Sequence, residues 1–153
     1  DKLKEKSKFN KITNIAGGES AGIPFAAFIA QKLNLPMTYI RKEKKKFGKN
    51  SQIEGLLCQK DHVLLAEDLM TDGGSKLKFL DAINKSGANI SGIFVIFNYG
   101  IIKNYYLFKK KKIDVISLTN WRNVLSVASR KKILRYEEVE IVKSFLENMK
   151  IKS

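Results

Sequence analysis

The segment Val63-Leu64-Leu65-Ala66-Glu67-Asp68-Leu69-Met70-Thr71-Asp72-Gly73-Gly74-Ser75 constrains this chain more than any other, because an apolar run has no structural reason to end in adjacent carboxylates. Residues 63–66 read as a buried strand, and the spacing predicts a helix over 76–85 that stops near Gly87. Between them lies a tight loop. At the carboxyl edge of a parallel sheet, such acids can accept hydrogen bonds from sugar hydroxyls. The loop then lifts backbone N–H groups and the Thr71 and Ser75 hydroxyls toward a phosphate at the helix N-terminus. Glycines at 73 and 74 let the backbone come close to it. The plainer alternative is an acidic turn with an ordinary N-cap; the strand before it and the helix after it weigh against that.

The rest of the chain repeats the pattern of strand, turn and helix. Strands are expected over 12–16, 36–40, 93–97 and 113–118, and helices over 23–33, 121–128 and 137–149. The last helix carries Val139, Val142, Phe145, Leu146 and Met149 as an apolar stripe. Residues 17–22 form a glycine-rich turn, 41–52 a polar loop without periodicity, and 109–112 a basic turn. Strands alternating with helices predict an α/β fold with parallel strands joined by crossover helices. With 153 residues, 44% of them hydrophobic, one domain over 1–153 is expected.

Composition removes several classes of function. The longest apolar stretch, 90–102, is interrupted by Asn98 and Gly100 and is too short to span a bilayer as a helix. The first residues are rich in lysine rather than apolar, unlike a secretory leader, so the cytoplasm is the expected location. One cysteine, Cys58, cannot build a disulfide framework, and one histidine, His62, leaves no metal-ligand cluster. Any metal is therefore expected to arrive with a substrate. Cys58 reads as a small packed hydrophobe, His62 as exposed, and Trp121 as a helix anchor in the core. The formal charge of +14 attracts polyanions in general, whether nucleic acid, anionic lipid or small phosphorylated molecules. Because the lysines are spread along the chain, most of that excess reads as solvated surface.

The 63–75 segment resembles the loop that binds phosphoribosyl pyrophosphate (PRPP) in type I phosphoribosyltransferases. Two further stretches extend the likeness, in order. Ala16-Gly17-Gly18-Glu19-Ser20-Ala21-Gly22-Ile23-Pro24 looks like the pyrophosphate loop of the orotate branch. Arg41-Lys42-Glu43-Lys44-Lys45-Lys46-Phe47-Gly48, closing with Gln52-Ile53-Glu54-Gly55, is similar to the catalytic loop of that branch. The resemblance covers roughly residues 15 to 128. It implies the type I phosphoribosyltransferase fold, a Rossmann-like, mostly parallel central sheet flanked by helices. It also implies transfer of the phosphoribosyl group of PRPP to orotate, giving orotidine 5'-phosphate and pyrophosphate in pyrimidine biosynthesis.

The site that this resemblance implies has three parts. Arg41, Lys42 and Lys45 would contact the pyrophosphate, from a loop that closes across a homodimer interface, and Gly17, Gly18, Glu19 and Ser20 would form the pyrophosphate loop. Glu67 and Asp68 would bind the ribose hydroxyls directly or through Mg²⁺ carried by PRPP. Leu69, Met70, Thr71, Asp72, Gly73, Gly74 and Ser75 would complete the PRPP site, with Thr71 also touching orotate. Lys45, Arg41 and Asp68 would carry the chemistry. Departures from the family pattern are Phe47, where many members have histidine, and Tyr99, where some carry an arginine for the orotate carboxylate. Members also carry an N-terminal hood before the pyrophosphate loop; here a short basic stretch precedes Ala16, and the hood is expected to be absent or truncated. Two alternatives stay open: a regulatory protein of this fold that uses its basic surface for RNA, and an inactive fragment that holds PRPP but not orotate. The lack of a recognisable motif interleaving aromatic and basic residues ranks RNA below the enzyme.

Overall fold

A computed structural model describes residue 9 and residues 11–43 and 51–152. Six strands form one sheet in the order β3-β2-β1-β4-β5-β6. Their ranges are β1 Asn14–Gly18, β2 Met37–Ile40, β3 Ile53–Glu54, β4 His62–Met70, β5 Asn89–Asn98 and β6 Val115–Asn120. The five helices are α1 Gly22–Leu33, α2 Gly74–Lys85, α3 Ile102–Lys110, α4 Trp121–Arg130 and α5 Tyr136–Asn148. Every strand pairing is parallel except β2 with β3. The architecture is the expected α/β fold, with β3 as a short antiparallel edge.

The reason β4 reads as a continuous apolar run is that both of its faces are covered. Val63 and Leu65 join Phe79, Leu80 and Ile83 of α2 and Phe108 of α3 in one core. Leu64 and Ala66 join Ala26 and Ala30 of α1 in the other. Helix α1 ends where Asn34 takes a left-handed conformation, φ 54°, which asparagine tolerates better than most residues. A third, smaller cluster of Leu125, Val139 and Leu146 holds α4 against α5.

The chain leaves β1 toward β2 on one side and later enters β4 on the other. Between β1 and β4 the strand order therefore reverses, and in open α/β sheets the crevice outside the carboxyl ends at such a point is where ligands bind. The loops after β1 and β4 face each other across it.

Several elements depart from expectation. Strand β4 continues through both acids to Met70 instead of stopping at Ala66, because pairing with β5 runs on from Glu67↔Val95 to Met70↔Asn98. Strand β1 likewise absorbs Gly17 and Gly18, which shortens the glycine turn to residues 19–21. Strand β3 and helix α3 have no counterpart in the sequence reading. In α5, Val139 and Leu146 point inward, whereas Phe145 and, at the C-cap, Met149 are exposed. Among the described residues no helix is long and apolar enough to cross a membrane.

Candidate active site

Glycine is required at the end of β1 by what lies next to it. A Cβ on Gly17 would stand 2.9 Å from Ile23 Cα and 3.0 Å from Ala26 Cβ, so α1 packs directly on the strand. A Cβ on Gly18 would overlap Glu67 Oε1 and the Phe79 ring. Beyond it, the peptide between Glu19 and Ser20 is cis, and the Glu19 N–H donates to Ile40 O at 2.9 Å. The first turn of α1 holds no acid and its N-cap, Ala21, makes no side-chain cap, which leaves its positive end to an anion.

The two acids of β4 occupy different surroundings, because neighbouring residues of a strand face opposite ways. Glu67 points to the α2 side, where its Oε2 lies 2.7 Å from Lys76 Nζ, and both side chains are 6% exposed. Burial pushes the Glu67 carboxyl above the usual carboxylate range, and the hydrogen bond from Lys76 works against that shift. Asp68 is half-buried and accepts the Leu69 N–H at 2.8 Å. Leu69 is half-buried too, but the Met70 side chain sits in the core, so only its backbone is on offer to a ligand.

After Met70 the loop is shaped by three contacts. Asn104 Nδ2, from α3, donates to Thr71 O. Asp72 Oδ1 accepts the Gly74 N–H at 3.1 Å. Gly73 adopts φ 77°, a left-handed conformation that disfavours any side chain, and it opens α2 without a side-chain cap. Gly74 and Ser75 then form the first turn, with Ser75 half-buried and Thr71 beside it at the edge of the sheet.

Arg41 and Lys42 follow directly after β2. The Arg41 guanidinium donates to Glu54 Oε1 at 2.9 Å and to Tyr39 Oη at 3.1 Å, and it stands 3.9 Å from Glu19 Oε1. Its proton is held more tightly than usual, chiefly through the hydrogen bond to Glu54. The backbone ties the neck of the 41–52 loop, since the Arg41 N–H donates to Gln52 O at 2.8 Å and Gln52 Nε2 donates to Arg41 O at 3.0 Å. The Lys42 N–H reaches Glu19 Oε2 at 2.8 Å, which joins this neck to the loop after β1. Lys45 and Phe47 lie outside the described residues.

Farther along the same edge, Tyr99 packs edge-on against Phe97 and Trp121, with ring centroids 5.2 and 5.9 Å away. Trp121 thus anchors the start of α4 in a mainly aromatic setting. Cys58 is exposed rather than packed, and His62 is half-buried at the opposite, amino end of β4. An open cavity of about 320 Å³ is lined by Ser51 and Gln52 at the neck of the 41–52 loop, by Ile53, and by Ala82, Lys85 and Ser86 at the end of α2.

Residues 2–129 match the family model described as the phosphoribosyl transferase domain. The chain belongs to that family. An orotate phosphoribosyltransferase of Cereibacter sphaeroides (strain KD131 / KCTC 12085) is 45% identical over 141 residues, 92% of this chain and 61% of the relative. This phosphoribosyltransferase-family chain therefore spans about six-tenths of the length of these curated relatives. Among solved structures, an orotate phosphoribosyltransferase from Aeropyrum pernix superposes with a TM-score of 0.67 at 25% identity, covering 81% of this chain and 70% of that one. The UMP synthase of Leishmania donovani has the same fold, with a TM-score of 0.74 at 22% identity over 90% of this chain and 30% of that one.

The partners that sequence reasoning passed over are Lys76, Tyr39 and Asn104, while Glu54 enters it only within the stretch that closes the 41–52 loop. Lys76 had one legible signal. A cation in the first turn of a helix opposes the helix dipole, so it implies a nearby acid.

Proposed function

We infer that this chain transfers the phosphoribosyl group of PRPP to orotate, giving orotidine 5'-phosphate and pyrophosphate for pyrimidine nucleotide synthesis. One observation carries the reading. Two glycine-bearing loops, each leading into a helix without an acid in its first turn, face one another where the strand order reverses. Relatives bearing the name orotate phosphoribosyltransferase are 45% identical to the chain that builds this crevice.

In this reading the 5'-phosphate lies against the N–H groups of Gly73, Gly74 and Ser75 and the hydroxyls of Thr71 and Ser75. Asp72 would exchange its bond to Gly74 for solvent as the phosphate arrives. Asp68 accepts from the ribose hydroxyls, and the backbone of Gly17, Gly18, Glu19 and Ser20 lines the diphosphate. Bond breaking at the ribose leaves positive charge on the sugar and negative charge on the departing diphosphate. Cations from Arg41, Lys42 and Lys45 stabilise that separated state more than the bound ground state. Thr71 contacts orotate, and Tyr99 stands in the aromatic group at the base side.

Mg²⁺ fits such a site as an ion carried in by diphosphate. Among the described residues no group of three acids, histidines or cysteines could cage a metal, whereas Asp68 and Glu19 offer single hard oxygens at the crevice. Mg²⁺ accepts that arrangement, because it keeps several waters and takes few protein ligands. When bound, it would neutralise charge on the leaving group. A homodimer sharing the 41–52 loop and a cytoplasmic location complete the proposal.

PRPP-dependent loss of orotate absorbance in the presence of Mg²⁺ tests it. Turnover of orotate, with none of adenine or hypoxanthine, is the expected result. Absence of orotate loss at high protein concentration, with calorimetry detecting no PRPP binding, would overturn it.

A further inference from the structure

Helix α3 carries a face that neither the packing of the fold nor the proposed reaction uses. Its inward side is held by Asn104 and Phe108, both buried, while Ile102, Tyr105 and Tyr106 are 44%, 62% and 64% exposed. Ile102, Tyr106, Lys109 and Lys110 recur at intervals of three and four residues and so share the outward side. Tyr105 borders them. Its ring meets that of Tyr106 edge-on with centroids 5.5 Å apart, and Lys109 Nζ stands 5.6 Å from its centre. Lys111 and Lys112, both exposed, continue the charge past the end of the helix.

Charge is denser here than a lysine-rich composition requires. Residues 102–112 hold five lysines and no acid. Among the described residues, no salt bridge involves any of the five. Cations in a last turn answer the helix dipole, which accounts for Lys109 and Lys110 without a ligand. The tyrosines have no such account, because two large rings turned to water add nothing to the packing of α3. Open rings set among unpaired cations are the combination that holds single-stranded nucleic acid: bases stack on the aromatic faces and phosphates meet the charges. An anionic membrane fits less well, since this side of a helix of nine residues exposes one aliphatic side chain, Ile102.

We propose that the outward face of α3 binds single-stranded RNA, with bases stacked on Tyr105 and Tyr106 and phosphates held by Lys103, Lys109 and Lys110. The inward side of the same helix serves the crevice, since Asn104 Nδ2 donates to Thr71 O. The RNA face and the substrate side are therefore opposite sides of one element. This is a second binding function, and it does not depend on the phosphoribosyl transfer inferred above. Contact of this kind is steeply dependent on salt and nearly indifferent to sequence, because every base has a face to stack and every nucleotide a phosphate.

Fluorescence anisotropy of a labelled oligouridylate of about 12 nucleotides tests it, on the unmodified chain and on paired substitutions. Tyr105→Ala with Tyr106→Ala removes the rings. Lys109→Gln with Lys110→Gln removes two cations of the face, and Lys131→Gln with Lys132→Gln removes two exposed cations from the turn after α4. The unmodified chain is expected to bind, and the alanine pair to bind at least about tenfold more weakly. Loss of Lys109 and Lys110 should lower the slope of log affinity against log salt by about 1.4. Loss of Lys131 and Lys132 should leave binding as it was, because salt screens charges that do not touch the strand. Tyr105→Phe with Tyr106→Phe keeps the rings and should bind like the unmodified chain.

Equal weakening in the two lysine pairs, with the alanine pair binding like the unmodified chain, would reduce the effect to overall charge and overturn the proposal. Duplex RNA bound as tightly as the single strand overturns it as well, since paired bases cannot stack on the tyrosines. So does an absence of RNA binding at low salt, whether or not vesicles of phosphatidylserine and phosphatidylcholine are bound instead. Should the alanine pair not fold, Tyr105→Leu with Tyr106→Leu keeps apolar bulk without flat rings and is read the same way. The titration contains no PRPP, so its result stands whatever becomes of the transfer reading.

Discussion

Two ionic contacts flank the crevice, and they belong to different physical regimes. On the β4 side, Glu67 and Lys76 meet with 6% exposed side chains. On the β2 side, Arg41 shares Glu54 and Glu19 with side chains roughly a quarter to a third exposed, 27% beside 26% and 31%. Desolvation makes the first contact costly to form and costlier to break on one side only. Water screens the second, so its partners can be exchanged for a ligand at little cost. The buried pair is suited to fixing β4 against α2, and in the proposed reaction the half-exposed one can release a cation toward an incoming diphosphate.

Breaking the buried pair should produce the largest effect. Either Lys76→Met or Glu67→Leu is expected to lower unfolding free energy by about 3–5 kcal/mol, with most of it restored in the double variant. Urea titration checks this, and singles that unfold at the wild-type midpoint would erase the contrast between the two regions. Gly18→Ala comes next. The new methyl overlaps Glu67 Oε1 and the Phe79 ring, and overpacking of this kind costs about 1–3 kcal/mol. Thermal unfolding should show the loss.

The pH dependence of Lys76→Met sharpens the comparison further. Burial raises the folded Glu67 carboxyl above its unfolded value, so its stabilising contribution is complete below the unfolded pKa and is lost as pH rises through the folded one. Removing Lys76 takes away the main opposing influence, leaving Asp68 and Lys42 as the other charges acting on Glu67. The folded carboxyl then shifts higher still. The deficit of Lys76→Met relative to the unmodified chain should narrow as the solution is acidified toward the unfolded pKa, by at most about 1.4 kcal/mol per pH unit. Unfolding titrations over a pH series check the sign, and a deficit that widens on acidification would contradict it.

The half-exposed contact should respond in the opposite manner. Arg41→Ala is expected to leave the melting midpoint unchanged while weakening PRPP binding roughly tenfold, because the charge matters to the ligand rather than to the fold. Calorimetry beside a melting curve separates the two effects.

Much of this arrangement was readable from residues 63–75. An apolar run closed by acids, a glycine pair and a helix start identified the carboxyl edge before any strand was paired. The extent of β4 was not readable, since Glu67 and Asp68 look like the end of a strand until β5 supplies pairing as far as Asn98. Helix α3 escaped because only Asn104 and Phe108 are buried in it, while Tyr105 and Tyr106 are exposed and blur the period. In α5 the same ambiguity ran the other way, since Phe145 and Met149 continue an apolar pattern on a face that stays in solvent. Lys76 shows the limit most clearly. Its place in the first turn of a helix hints at a nearby acid, but Lys78 two residues on is exposed, and only the side of β4 on which Glu67 falls tells which lysine is buried.

The account turns on where PRPP lies. Hydrogen exchange with and without PRPP and Mg²⁺ measures that directly, and the predicted footprint is protection of amides at 17–22 and 71–75, on the two walls of the crevice. Protection confined to residues around Ala82–Ser86, at the far end of α2, would contradict it.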